Sequence, residues 1–303
     1  MSTAPNSTRL AILLPFAIVT LIWGSTWIVI RGQLGVVPPQ WSVAYRFALA
    51  AMALGSYAAW RGERFRLDAR GYFFAAANGL AQFCLNFNFV YQAERWITSG
   101  LVAVTFALLL IPNALMARVF LGQRLGRQLL LGSAVAMTGV ALLFVHELRA
   151  DPRGSGASLT GIALALCAIM AASTANVLQA TATAKRYPLY ATVAWSMAIG
   201  AAVDAAFAWA LTGPPVIEWR LGYIAGVAYL ALAASALAFP LYYTVLRMIG
   251  PAKAAYSSII VPVIAMTLST LFEGYRWGVL AVGGAALAAV GLVIALTARR
   301  PAR

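Results

Sequence analysis

Strongly polar side chains are scarce in this chain. The few that fall inside apolar stretches mark where chemistry can happen. Asn78, Gln82 and Asn86 recur at steps of four in one such stretch, GYFFAAANGLAQFCLNFNFVYQA (residues 71–93). On a helix that spacing puts all three on one stripe, with Asn88 roughly opposite. An amide both donates and accepts hydrogen bonds. The stripe can therefore hold a carboxylate and an ammonium without a fixed charge. It can also bond across to a neighbouring helix, the other common use of amides in lipid. Three amides on one stripe exceed what such a bond needs, which favours a cavity. Asn176, Gln179 and Thr183 share a second face, where the bonding role is favoured.

Aromatic side chains supply candidate walls: Trp23 and Trp27 in the first apolar stretch, Tyr45 with Trp195, and Phe106 with Tyr256. Ser257 and Ser258 add hydroxyls near Pro262. Such a lining suits an amphipathic metabolite; the same rings also serve as plain core. Ser25 and Thr26 can bond their own helix or permit close packing. Two charges are embedded in apolar runs. Arg46 is read as a structural or gating residue, with a substrate carboxylate or outward snorkelling as the other uses. Asp204, in AIGAAVDAAFAWA, is a candidate for proton or cation coupling, or for a hydrogen bond between helices.

Other chemistries are poorly served. The one histidine, His146, is expected in a loop, and no span shows a metal-ligand cluster, an Asp pair or a Ser–His pairing. There is no Walker A motif, so ATP is not the direct energy source, and no cofactor is expected. A Schiff-base pigment needs a lysine inside a span; Lys185 and Lys253 sit at helix ends. A sugar-phosphate carrier needs several cations in its cavity, and only Arg46 is available. Cys84 and Cys167 are read as small buried hydrophobes.

The elements that position these residues follow from composition. Of 303 residues, 62% are hydrophobic and 10% are charged. Soluble domains run at about a quarter charged, so the solvent here is lipid. The net charge of +14 does not imply nucleic acid, because the basic residues lie between apolar runs. Those runs number ten: roughly 10–30, 39–60, 71–92, 97–119, 128–145, 158–183, 188–211, 221–246, 251–271 and 276–297. The first is read as a retained span, not a cleaved signal. The polar stretch HELRADPRGSGA (146–157) divides five runs from five.

The two halves repeat. At a shift of 150, Gly100 lands on Gly250, Phe106 on Tyr256, Pro112 on Pro262, Gln123 on Glu273, Tyr45 on Trp195 and Pro38 on Pro188. Gly132 and Gly139 resemble Gly284 and Gly291 at a shift of 152. These glycines read as packing seams, within a subunit or between subunits of a homo-oligomer. Pro112 and Pro262 free the carbonyls of Leu108 and Ser258 and kink their helices. Five is odd, so the second half must cross the membrane upside down relative to the first, as in alternating-access carriers. One central cavity between the halves is expected. With both termini in the cytoplasm, fifteen Lys and Arg fall inside and six outside, the positive-inside bias.

The WGSTW stretch (Trp23–Trp27) and the fourth and ninth runs, ending LGQRL (Leu121–Leu125) and LFEGYRW (Leu271–Trp277), carry a resemblance over essentially the whole chain. It resembles the drug/metabolite transporter superfamily, EamA type, and within it the YddG-like amino-acid exporters of bacterial inner membranes. Where that family carries Glu near the end of both helices, this chain has Gln123 and Glu273. The resemblance implies an all-α polytopic membrane protein of ten helices in two inverted repeats, 1–147 and 158–303, with 148–157 as linker. It implies export of neutral and aromatic amino acids, with carriage of nucleosides, sugars or drugs as the alternative.

Overall fold

The computed structural model describes residues 4–123, 126–150, 155–254 and 257–296; for 4–13, 150, 155, 252–253, 257–259 and 296 only the backbone is described. Among the described residues every regular element is helical. α1 (Ala4–Arg31) and α2 (Pro39–Trp60) come first. α3 (Ala69–Asn78) continues as a π-helical segment, Gly79–Asn86, into α4 (Phe87–Ala93). α5 (Ser99–Thr105) tightens to a 3₁₀ turn, Phe106–Leu109, before α6 (Leu110–Leu121). α7 (Arg127–Ala150) and α8 (Ser155–Ala180) follow, so helix occupies much of the stretch read as a linker, and His146 lies in the last turns of α7 and not in a loop. Then come the short α9 (Ala182–Lys185) and α10 (Leu189–Thr212). α11 (Leu221–Ala231) passes through a second π segment, Leu232–Leu237, into α12 (Ala238–Ile249). The short α13 (Pro251–Ala254), α14 (Ser257–Phe272) and α15 (Val279–Leu296) end the chain.

Element boundaries repeat at the shift seen in the sequence. α1 corresponds to α8, α2 to α10, α3–α4 to α11–α12, α5–α6 to α13–α14, and α7 to α15. Even the two π segments correspond. Packing follows suit: α1 lies on α14 as α8 lies on α6, α2 pairs with α10, and α7 pairs with α15.

Local chemistry explains the breaks. Asp68 caps α3 by accepting from the Gly71 backbone N–H at 2.7 Å. Pro112 cannot donate to the Leu108 carbonyl, and the helix there narrows to the 3₁₀ turn. Gly122, at φ 67°, ends α6 in the left-handed region. Gly132, Gly139, Gly284 and Gly291 form a seam between α7 and α15. A Cβ on Gly139 would stand 2.2 Å from the Ala288 backbone nitrogen, and one on Gly132 2.2 Å from that of Ala295. The seam lies within one chain. Gly79 likewise lets the first π segment meet α10, where a Cβ would stand 2.4 Å from the Ser196 carbonyl oxygen.

Six helical stretches among the described residues are long and apolar enough to cross a membrane: Leu14–Arg31, Ser99–Leu121, Arg127–Arg149, Gly156–Ala180, Leu189–Thr212 and Leu221–Ile249. Ile260–Phe272 and Val279–Ala295 are apolar but shorter. α2 and the α3–α4 run are outside this set; they carry Arg46 and the amide stripe. Large apolar side chains such as Phe73, Leu131, Phe207 and Phe272 are exposed on the outer surface, as a lipid solvent allows. Cys84 is buried as expected, but Cys167 is exposed: it lies on a face of α8 turned away from the bundle.

Candidate substrate-binding cavity

One cavity opens in the middle of the bundle, with ≈ 760 Å³ of atom-free space, its mouth included. Its wall draws on α1, α2, the first π segment, α4, α5, the 3₁₀ turn, α8, α12 and α14, so both sequence repeats contribute. Six rings line it: Trp23, Trp27, Phe87, Phe106, Phe239 and Tyr242. Thr26, Arg46, Gln82, Asn86 and Asn176 supply the polar groups, and Pro262 lies at its edge.

The two π segments hold this wall in place. A π turn inserts an extra residue and loosens the backbone ladder, so its polar groups can bond sideways. The Trp23 indole Nε1–H donates to the Ala234 carbonyl at 3.1 Å, inside the second π segment. Arg46 Nε donates to Ser235 Oγ at 3.0 Å in that segment, and Ser235 Oγ donates to the Leu230 carbonyl at 2.7 Å. Phe239 packs against Trp23 with ring centroids 5.2 Å apart, and Trp27 against Phe106 at 5.1 Å. The first π segment carries Gln82 and Asn86 into the cavity. Asn86 Nδ2 donates to the Gln82 carbonyl at 3.4 Å.

Arg46 is 1% exposed. Its guanidinium carbon lies 4.2 Å from the centre of the Phe87 ring and 5.1 Å from that of Phe47. These contacts offset part of the cost of burying the charge. Three polar atoms on cavity-lining residues are buried without a hydrogen-bond partner: Arg46 Nη1, Trp27 Nε1 and Asn86 Oδ1.

Both ends of the cavity meet polar ties. Toward the ends of α1 and α4, Glu273, just past the end of α14, accepts from the Ser99 backbone N–H at 3.2 Å and the Ser99 hydroxyl at 2.5 Å, capping α5. Arg31 Nε faces Glu273 Oε1 at 3.5 Å, and Arg31 Nη1 donates to the Glu94 carbonyl. Tyr91 donates to Gln33 Oε1 at 2.9 Å beside them. Glu94 and Ser99 are fully buried there. Toward the opposite end, Arg247 donates to Gln179 Oε1 at 2.9 Å, and Asn176 Nδ2 to Asn113 Oδ1 at 3.4 Å.

Several candidate residues stand elsewhere. Asn78 is fully buried and faces the Tyr243 hydroxyl, outside the cavity wall. Tyr45 stacks on Trp41 and donates to the Val216 carbonyl at 3.0 Å. Trp195 donates to the Phe65 carbonyl at 2.9 Å. Asp204 is fully buried and accepts from Asn88 Nδ2 at 2.6 Å, on the side of the α3–α4 run away from the cavity. Pro112 shapes the helix that carries Phe106 but is not on the wall. Tyr256 lies outside the described residues, and so does the Ser257 side chain. Phe239 and Tyr242 escaped the sequence reading; their place in the repeat, after a segment equivalent to Gly79–Asn86, was the available signal.

Apolar helices of this length, gathered around one amphipathic cavity, define a multi-pass membrane transport protein. The chain belongs to the EamA-like transporter family, whose model matches residues 10–145 and again 159–297. It is similar to Protein PagO of Salmonella typhimurium (strain LT2), 22% identical over 271 residues, covering 88% of this chain and 86% of PagO. A crystal structure of a protein 19% identical in sequence matches with a TM-score of 0.69, over 95% of this chain and 97% of the other. That likeness concerns the fold.

Proposed function

We propose that this protein is a secondary carrier that exports amino acids, neutral and aromatic with broad range, across the bacterial inner membrane by alternating access. On this reading the chain crosses the bilayer ten times, in inverted halves 1–147 and 158–303, with both termini cytoplasmic. The Lys and Arg distribution supports that orientation and puts Arg31, Glu94 and Glu273 at the periplasmic end. The observation that carries the reading is the cavity lining. Amides and one guanidinium suit the shared backbone of an amino acid, while six rings grip a side chain only by shape and apolar contact. One methylene in such a pocket is worth about 1–3 kcal/mol, so range is broad and individual affinity weak. Phosphorylated solutes would be excluded for want of several cations to offset their desolvation. Asp204 is the candidate for coupling and Arg46 for gating; the packing of Asp204 against Asn88 favours a tie between helices.

The ring-rich wall also suits nucleosides and aromatic drugs, the second reading. Counterflow into proteoliposomes decides between them. The expected result is accumulation of labelled phenylalanine, leucine and threonine, with none of sugars, nucleosides or sugar phosphates. Accumulation of sugar phosphates without amino acids would overturn the reading.

A further inference from the structure

Arg46 is a charged group that the fold has buried and left incompletely satisfied. It is the only charged side chain on the cavity wall among the described residues. Its Nε is bonded to Ser235, but Nη1 has no partner, and no carboxylate lies within ion-pair distance among the described residues. Tyr91, which gives its own proton to Gln33, faces the guanidinium as a neutral hydrogen-bond acceptor, and Glu94 acts on it only from beyond ion-pair distance. A buried guanidinium with no carboxylate in ion-pair contact is costly to maintain and strongly favours one that arrives. Phe87 and Ser235 fix the plane of the fork, so the geometry is set before any solute enters.

Two further wall atoms complete a pattern. Trp27 Nε1 is a second unpartnered donor, and Asn86 Oδ1 is an unpartnered acceptor whose amide nitrogen already donates to the Gln82 carbonyl. Buried polar atoms are rarely left unpaired, and those on a cavity wall point to the groups a ligand brings. Donors on the same wall as a cation ask for a carboxylate, and a lone amide acceptor asks for an N–H.

We propose that Arg46 is the anchor for the solute carboxylate, with Asn86 Oδ1 receiving the amino group and the side chain resting on the rings. This rests on the carrier reading and narrows it: the free carboxylate is required, and the amino group, met by one neutral acceptor, contributes less. The cavity therefore discriminates by head group before side chain. N-acetylphenylalanine, which keeps the carboxylate and one N–H, remains a ligand. Phenylalaninamide and phenethylamine, which lack the carboxylate, do not.

The test uses purified full-length protein in proteoliposomes and inhibition of phenylalanine counterflow by unlabelled compounds. Phenylalanine and N-acetylphenylalanine should compete, and phenylalaninamide and phenethylamine should be weaker by about tenfold or more, as loss of a charged hydrogen bond implies. Equal competition by the amide or the amine would overturn the anchor while leaving the carrier reading standing. Absence of phenylalanine counterflow altogether would remove the carrier reading and the anchor with it. Because these comparisons use the unmodified protein, folding of a variant does not enter. Arg46→Gln, checked for parental thermal stability in detergent, should bind phenylalanine and phenylalaninamide equally; a retained preference for the carboxylate would also overturn the anchor.

Discussion

Gln82 and Asn78 stand four residues apart and meet different surroundings. Gln82 reaches the cavity wall, while Asn78 faces Tyr243 inside the bundle. Gln82→Leu should therefore reduce the initial rate of amino-acid transport by about tenfold, with expression unchanged. Asn78→Leu should leave the rate within about twofold, because a similar-sized apolar group replaces a side chain outside the wall. Initial-rate measurements on both variants check the pair; equal losses would place both outside the binding step. Asp204→Asn addresses coupling. Asp204 is tied to Asn88 and absent from the wall, so uphill and downhill transport should keep their parental ratio. Selective loss of uphill transport would assign it the coupled proton. The sequence identified most of these polar residues because apolar surroundings make them conspicuous. It could not separate Asn78 from Gln82, since the stripe rule assumes a continuous α-helix. The step between them crosses into a π segment, where the turn per residue changes. Nor could it show Trp23 bonded to Ala234, a pairing of residues 211 apart in sequence.

The helical runs themselves were legible, because a shift near 150 residues carries each onto its counterpart. The π segments were not: an inserted residue leaves no mark in composition. The seam between α7 and α15 was visible as glycines, and the structure shows what they meet. Gly139→Val would drive methyl groups into the Ala288 backbone, so it should lower stability by about 1–3 kcal/mol. Thermal unfolding in detergent measures this; an unchanged midpoint would mean that the seam can part without cost. At the start of α3, the Asp68 carboxylate accepts from the Tyr187 hydroxyl at 2.6 Å and from the Gly71 N–H, and these bonds hold its pKa below the usual carboxylate range. Its stabilising contribution is complete above the unfolded-state value and is lost as pH falls through the lowered one. Asp68→Asn should accordingly flatten the acid limb of the unfolding profile, and an identical limb would argue against the tie.

For the molecule as a whole, the proposed ten crossings require the two ends of the chain to share one side of the membrane. Reporter fusions at residue 1 and residue 303 should both read as cytoplasmic, and a split result would refute the inverted halves. The seam has a mechanical consequence at this scale. α7 and α15 come one from each half and touch backbone to backbone at several levels. Helices in backbone contact cannot be drawn apart without losing it, so on the carrier reading relative movement at this seam is a turn about it. The cavity takes no wall residue from either helix, so it lies off the axis. A small angular swing there becomes a larger linear opening at the cavity's rim. On the carrier reading the glycines would supply a fixed edge for that swing, with the solute held at the far end of the arm.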